Sequence, residues 1–525
     1  MKKLNAIVLF MLLPLMGFCQ IETTHWYYRG GEGLDFTSGA PVRLNNGSLG
    51  SCEGTAAISD SLGNLLFYTD GETIWDSEHL PMPNGSGLMG DISTVQSAMI
   101  VPQPNNSESY YVFTAAQTCG TNGLRYSIID MNLNSGKGDV IEDTKNTPLL
   151  TPVFEKMAAV HHCNGVDVWL MAMKTNGDFY TWLVTENGLC DCPVISKTGP
   201  VHEQGWGAIK FSNNGKKLVV TDEAGTCNGS DKSVHTDLYD FDNNSGEVSF
   251  YQTIDTANTS YSSSGGSFWG ASFSPNNKLL YLSTGFLPYN GSAGTSNGVA
   301  VVQYNLDNTN IESSAVLLFD NAYNPDDPDE ACGSPMGSLQ LGLDGKIYVG
   351  NFCCLDVINS PNQVGLSCNY VHNAMPETTG SGYGITNFIE SYFGDGVTTC
   401  NVEVNGNLCE DDSQVECTPK AIEAEEEEEE EEEDDDDDDE EDDDKEVEEE
   451  EQIDIKIYPN PTHFELTIIS NIAINRIKIS DAAGKTVKVI EQDTTEINVS
   501  DLSAGVYFLM LFTENKLITK KFIKV

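Results

Sequence analysis

WGAIKFSNNGKKLVVTDE, from Trp206 to Glu223, is matched by WGASFSPNNKLLYLST from Trp269 to Thr284 and by MGSLQLGLDGKIYVGN from Met336 to Asn351. Each reads as strand, Asn/Asp/Gly turn, strand, because apolar and polar residues alternate on either side of turn-forming residues. GTAAISDSLGNLLFYTDG from Gly54 is a fourth member, SAMIVPQPNNSESYYVFTA from Ser97 a looser fifth, and VDVWLMAMKTNGDFYTWLV from Val166 a sixth. Second hairpins follow several of them: YSIIDMNLNSGKGDVI from Tyr126, DLYDFDNNSGEVSFYQTI from Asp237 and VVQYNLDNTNIESSAVLLF from Val301. Two hairpins per unit make a four-stranded sheet, and such sheets repeated at about 45 to 65 residues describe the blades of a β-propeller. The expected class is all-β, a β-propeller of six to seven blades. The seventh forms where a strand near His25-Trp26-Tyr27-Tyr28 meets the segment Tyr383 to Phe393. A pair of β-sandwiches is the competing architecture, since turn spacing alone does not fix how hairpins stack.

Outward from the repeats, composition divides the rest of the chain. The 525 residues carry a formal net charge of −53, and the stretch Glu423 to Glu451 holds 26 acidic residues against the single Lys445. Like charges with almost nothing apolar to bury keep such a run extended and disordered, so it reads as a spacer. The remainder is also acidic, which argues against nucleic acid and anionic membrane surfaces as partners. A floppy polycarboxylate attracts calcium weakly, because it lacks the fixed oxygen cage of a tight site. The domain boundaries read as 1–19 signal peptide, 20–396 propeller, 397–422 cysteine-containing neck, 423–451 acidic linker and 452–525 a small immunoglobulin-like β-sandwich.

In that last domain Phe464, Leu466 and Ile468 alternate with polar neighbours, as do Ile477 with Ile479 and Val487 with Val489. Pro459 and Pro461 cannot donate to a β-ladder and are expected before the first strand. Three motifs stand together: Tyr458-Pro459-Asn460-Pro461, then Asp481 to Lys485 with Gly484, then Leu502 to Tyr507 with Gly505. Together they closely resemble the type IX secretion C-terminal sorting domain, the Por secretion tail family. The resemblance implies passage across the outer membrane by the type IX machinery, and in some members cleavage with attachment to surface polysaccharide. Lys2 and Lys3 before the apolar run Ala6 to Met16 have the layout of a secretory signal peptide, too short to span a bilayer. Cleavage is expected after Cys19; a lipoprotein role for Cys19 fits badly with the bulky Phe18. No other stretch is long and apolar enough to be transmembrane. The expected location is secreted or at the outer-membrane surface, after Sec export to the periplasm. The body itself, from HWYYRGGEGLDF at His25 through TVQSAMIVPQP and on to GYGITNFIESYF at Gly382, resembles secreted propeller-like proteins of Bacteroidetes, which brings no catalytic residues with it.

Thirteen cysteines follow Cys19, and in an exported chain the default is disulfides that staple loops, with the odd count leaving one thiol over. Cys190-Asp191-Cys192 and the adjacent Cys353-Cys354 also suit soft metals; oxidising export favours bridges. His161-His162-Cys163 is the densest group of metal-ligating types, yet neighbours on a strand point to opposite faces, so both rings cannot easily hold one ion. Asp326-Asp327-Pro328-Asp329-Glu330 lacks the spacing of a calcium loop. No HExxH or P-loop spacing occurs, and no catalytic, cofactor-binding or metal-binding residue is assigned. The sequence therefore points to a binding or adhesion protein whose partner is an extracellular glycan, a surface polysaccharide or a protein. The alternative is an extracellular, glycan-active hydrolase on the same scaffold, betrayed by two facing carboxylates or a histidine cluster at a channel mouth.

Overall fold

The computed structural model describes residues 21–51, 53–118, 120–223, 234–254, 268–284, 298–322, 336–351, 354–376 and 384–394, and the tail's strands with short flanking stretches between 455 and 524. The signal peptide, neck and acidic linker lie outside the described residues. The chain divides into two compact units, Met1–Ala421 and Ile422–Val525.

The turns of the repeats share one hydrogen-bonded device. In WGAIKF…, Ser212 N donates to Lys217 O at 2.8 Å and Gly215 N to Ser212 O at 2.8 Å; in the Trp269 repeat Ser274 N donates to Leu279 O and Asn277 N to Ser274 O, each at 2.8 Å. Gly342 with Lys346, and Asp60 with Asn64, close the same way. The residue that must enter the left-handed region is Gly215, Asn277, Gly345 or Gly63, with φ of 66°, 58°, 73° and 83°. The loops hold three residues (Asp60 to Asn64, Gly342 to Lys346) or four (Ser212 to Lys217, Ser274 to Leu279), and in each the third enters the region that favours Gly or Asn. The Asn/Gly signal in the sequence is thus a backbone requirement.

These hairpins build seven sheets in the body. Blade 1 has three strands, His25–Tyr27, Gly33–Asp35 and Val42–Leu44. Blades 2 to 7 begin with Thr55–Ser59, Ala98–Pro102, Val153–His161, Ile209–Phe211, Gly270–Phe273 and Met336–Leu341, and each continues outward through antiparallel neighbours. The all-β propeller is confirmed and the paired-sandwich alternative is overturned. One register expectation is corrected. The Val166 repeat supplies the second and third strands of blade 4, Val168–Lys174 and Phe179–Thr185, and its inner strand is the earlier Val153–His161. That strand reads VFEKMAAVH, with Glu155 and Lys156 adjacent and no polar alternation to mark it.

Ring closure is more elaborate than two termini sharing one sheet. Thr386–Asn387 pairs in parallel with Thr55 and Ala56 of blade 2, while Tyr27 N donates to Thr386 Oγ1 at 3.1 Å and Thr55 Oγ1 donates to Tyr27 O at 2.7 Å. Residues 384–394 then run down the axis. Asn387 Nδ2 donates to Ala98 O of blade 3, Ser391 meets His161 of blade 4, and Lys210 of blade 5 donates to both Glu390 Oε1 at 2.5 Å and Gln340 Oε1 of blade 7 at 2.7 Å. Around this axis Gln96 accepts from Met157 N and Ile209 N and donates to Ile209 O, so one amide ties three inner strands. Trp26, fully buried, seals blade 1 against blade 7 and the axial segment, its ring 5.2 Å from Phe36, 5.5 Å from Tyr348 and 5.7 Å from Phe388.

The tail folds as two sheets over one core that includes Leu466, Ile468, Ile477, Ile479, Leu509 and Leu511. A strand, Ile455–Tyr458, already precedes the prolines, which corrects the expectation that the first strand follows them. Phe464 lies just before the strand Glu465–Ser470 and is 71% exposed, and Val487 is 38% exposed, so neither joins the core face inferred from alternation. Thr486–Ile490 lies at the edge of its sheet, where one face is free to meet water.

Replacing Trp26 with alanine should cost about 3–5 kcal/mol, the usual penalty for emptying a buried Trp site. A urea titration followed by far-UV circular dichroism checks it, with the unfolding midpoint of the body moving down.

Candidate functional site

Because inner strands run in one direction, the channel has two distinct ends. At the first end lie Glu53 and Gly54 before blade 2, Thr94 to Ser97 before blade 3, Glu155 in blade 4, and Trp206 and Trp269 leading into blades 5 and 6. Gly54 admits no side chain here, since a Cβ would sit 2.5 Å from Ser97 N. Glu155 is held by Val95 N at 3.0 Å and Thr118 N at 2.6 Å. Burial raises the Glu155 carboxyl above its ordinary range, and these two amides oppose the rise. Glu53 is pushed up to about 8, first by burial and then by the Glu155 charge. It therefore keeps its proton at neutral pH while its neighbour is the hydrogen-bonded member of the pair. Beside them Trp206, 37% exposed, lies 6.4 Å from the Trp269 ring.

Behind this rim is a buried charge network at the boundary of blades 4 and 5. Lys156 and His202 both bind Asp222, His202 Nδ1 at 2.9 Å, and His202 Nε2 lies 3.1 Å from Asp237. Burial alone pulls the His202 pKa down; the Asp222 charge and the bonds to Asp222 and Asp237 outweigh it and raise it. Lys156 and His202 thus meet two acidic side chains, the pairing that a dry site requires. The four residues come from four separate segments, so no spacing in the sequence announces them.

At the other end, where the inner strands of blades 2, 3 and 4 finish, a cleft of ≈ 680 Å³ opens. Its walls include Glu22, Asp60, Gln103, Asn105, His161 and Tyr392. Its size is that of a ligand site. The loop after Pro102 is fixed by Gln103 N donating to Ser109 O at 2.9 Å, and Asn105 Nδ2 donates to Glu186 Oε2 at 2.8 Å. His161 is pulled down to about 4 by burial, so its imidazole is neutral. Ser391 Oγ accepts the His161 backbone N–H at 2.8 Å, which leaves its hydroxyl proton to donate to Nδ1, also at 2.8 Å. Burial raises the Glu22 carboxyl and nearby Asp60 raises it further. Asp60 moves the other way overall: burial raises it, but bonds from Asn64 and Leu62 prevail. This separation resembles an acid and base pair, yet Asp60 does for its hairpin what Ser212 and Ser274 do for theirs, accepting turn amides. Its oxygens are structural.

The histidine pair behaves as strand geometry predicts. His161 faces the axial segment, while His162 packs on Trp169 at 5.5 Å with its Nε2 3.3 Å from Asn244 O. Cys163, Cys190 and Cys192 are disulfide-bonded. Cys354 and Cys368 keep buried thiols, so the expectation of one thiol left over is corrected to at least two. Asp326 to Glu330 and Cys353 lie outside the described residues. In the tail, Tyr458 stands opposite Thr467, Asp481 opposite Tyr507, and Gly505 opposite Lys524. Tyr507 donates its hydroxyl to Ser503 O at 3.0 Å, as in a tyrosine corner, and Leu502 N donates to Val499 O. Pro459, Asn460, Pro461, Gly484 and Lys485 lie outside the described residues. No helix among the described residues is long and apolar enough to cross a membrane.

Glu53→Gln should change the pH dependence of stability. A carboxyl raised in the folded state holds its proton more tightly there, so its contribution is full at low pH and is lost as pH rises from about 4.5 towards 8. The variant escapes that loss, and its melting temperature relative to the parent should rise between pH 5 and pH 8.5.

Residues 456–525 match the secretion system C-terminal sorting domain family. A tail of this family implies engagement with the secretion machinery and export to the cell surface or beyond. No curated protein matches the chain. Similar solved structures include a functionally unknown protein from Desulfotomaculum acetoxidans (12% identity, 70% of this chain, 99% of that chain, TM-score 0.37). A gluconolactonase from Xanthomonas campestris is also similar (12% identity, 58% and 92%, TM-score 0.28). So is PorZ, a surface component of the type IX secretion system of Porphyromonas gingivalis (12% identity, 96% and 85%, TM-score 0.16). Likenesses this distant say nothing of a ligand or an activity.

Proposed function

We propose that this exported propeller is a binding protein of the cell surface or surrounding medium, and that it takes an extracellular glycan or a polar protein segment in the cleft at the ends of blades 2, 3 and 4. The observation that supports this reading most directly is the cleft itself, ≈ 680 Å³, whose wall carries side-chain amides, hydroxyls and tyrosines alongside the carboxyls of Glu22, Asp60 and Glu108. Such groups suit a ligand rich in hydroxyls or amides. Two of its titratable groups are otherwise engaged: His161 is neutral and hydrogen-bonded to the axial segment, and Asp60 holds a turn, while Glu22 and Glu108 stand on its wall. The sorting tail would deliver the body through the type IX machinery, with attachment to surface polysaccharide as the accompanying proposal. Disulfide staples, and weak calcium association along Glu425 to Glu451, belong to the same extracellular setting.

Hydrolysis is the second reading, favoured by Glu53 with its raised pKa beside Glu155 at the opposite mouth. A carboxyl that holds its proton at neutral pH is one half of the pair that glycoside cleavage uses. Glu155 is already committed to the amides of Val95 and Thr118, which is why binding is preferred.

A glycan and surface-polymer screen of the full chain, with a parallel hydrolysis readout, separates the two. Binding predicts retention that Ser61→Trp, at the cleft wall, abolishes and that Gln103→Ala weakens by about tenfold, the worth of one hydrogen bond. Turnover lost in Glu53→Gln would establish the hydrolase instead; neither retention nor turnover would defeat both. Deleting residues 456–525 should strand the body in the periplasm, as read by cell fractionation.

A further inference from the structure

Blade 7 carries a cluster that neither channel mouth uses. Cys354 and Asp356 lie on the strand Cys354–Ile358, and His372 lies on its neighbour Tyr370–Pro376. One ligand atom from each falls within 4.8 Å of the other two. Cys354 and Asp356 are separated by two in a strand, so they point to the same face, and antiparallel pairing carries His372 across to them. Cys354 Sγ is 3.6 Å from Asp356 Oδ1, and His372 Nδ1 is 3.1 Å from the same oxygen. A tetrahedral zinc ion with ordinary bond lengths has S···O and N···O edges of about 3.6 and 3.3 Å. Both observed separations lie close to those edges.

We propose that Cys354, Asp356 and His372 form a zinc site with three protein ligands and a fourth position open to water or an outside donor. Sulfur and nitrogen donors select a borderline-soft ion over calcium or magnesium. Surrounding groups supply the orientation a metal site needs. Tyr370 donates its hydroxyl to Asp356 Oδ2, and Asn373 N donates to Oδ1 at 2.7 Å. Phe319 of blade 6 stacks on the His372 ring at 4.6 Å, fixing its plane. Such outer contacts hold ligands in register and raise their basicity. Cys354 and Asp356 are fully buried, whereas the His372 side chain is 31% exposed, which gives an ion its route in. A simple hydrogen-bonded Tyr–Asp–His group would need no thiol on the same face, and the cysteine turns the cluster towards metal.

Cobalt(II) titration of the full-length, thiol-reduced protein tests this, with excess calcium present to occupy the acidic run. About one equivalent should bind with a thiolate-to-cobalt charge-transfer band and tetrahedral visible bands, and zinc should displace it. Cys354→Ser should remove the charge-transfer band. His372→Gln should weaken cobalt at least tenfold, and Tyr370→Phe by about tenfold, the range for losing an outer contact. No charge-transfer band in the parent, or a band unchanged in Cys354→Ser, overturns the site. Should the serine variant fail to fold, the partly exposed His372 carries the test, and unchanged cobalt affinity in His372→Gln overturns the proposal equally.

Discussion

Everything in the body depends on filling its axis. Seven sheets arranged radially leave a bore lined by inner strands, and each blade has a face that only its neighbours and that filling can cover. The molecule fills it with its own segment 384–394, which carries Glu390 into the ring to meet Lys210 and Gln340. Burying such a pair is costly, and it is tolerated because each charge finds its partner within the axis. Gln96 performs the neutral version of the same task, spending its amide on blades 4 and 5 from its place at blade 3. The propeller is thereby held by polar contacts along its centre and by apolar contacts such as Trp26 between blades.

The parts of this fold that were legible in sequence are those governed by local backbone rules. Gly63, Gly215, Asn277 and Gly345 mark turns because few other residues take positive φ there without strain. Blade 4 shows the opposite case: Val153–His161 sets Glu155 and Lys156 side by side among apolar residues, so no period-two pattern marks it, although Thr55–Ser59 and Gly270–Phe273 are buried as completely. The aromatic-rich ends of the body hinted at closure, but that Thr386 would pair with Thr55 and its successors thread the axis depends on contacts over three hundred residues away in sequence. No local pattern encodes that. Phe464 and Val487 show the limit of period-two reasoning, which gives a face but does not say where a strand begins or whether it lies at an edge.

The functional groups follow the same division. The tail motifs were readable because they are contiguous, and the structure places Asp481 opposite Tyr507. Glu53 with Glu155, and Lys156 with His202 and Asp222, are assembled from separate segments of the chain and acquire their character only from burial and mutual charge. The two mouths consequently differ in chemistry. One is acidic and aromatic with a proton held at neutral pH; the other is a polar cleft whose floor is made by the axial segment through Ser391 and Tyr392.

That axial segment has a bearing on how the molecule comes into being. Its ladder partner Thr55 lies 331 positions before Thr386, and joining ends so far apart costs about 5 kcal/mol of chain entropy by the logarithmic loop law. The pairing therefore waits until the blades between have assembled, and the axle enters a wheel already built. A nascent chain halted before Gly384 would own every blade and still leave Lys210 pointing into an empty hub. Proofreading of this protein thus falls on a dozen residues near the end of the body, where completeness and correct assembly become the same event.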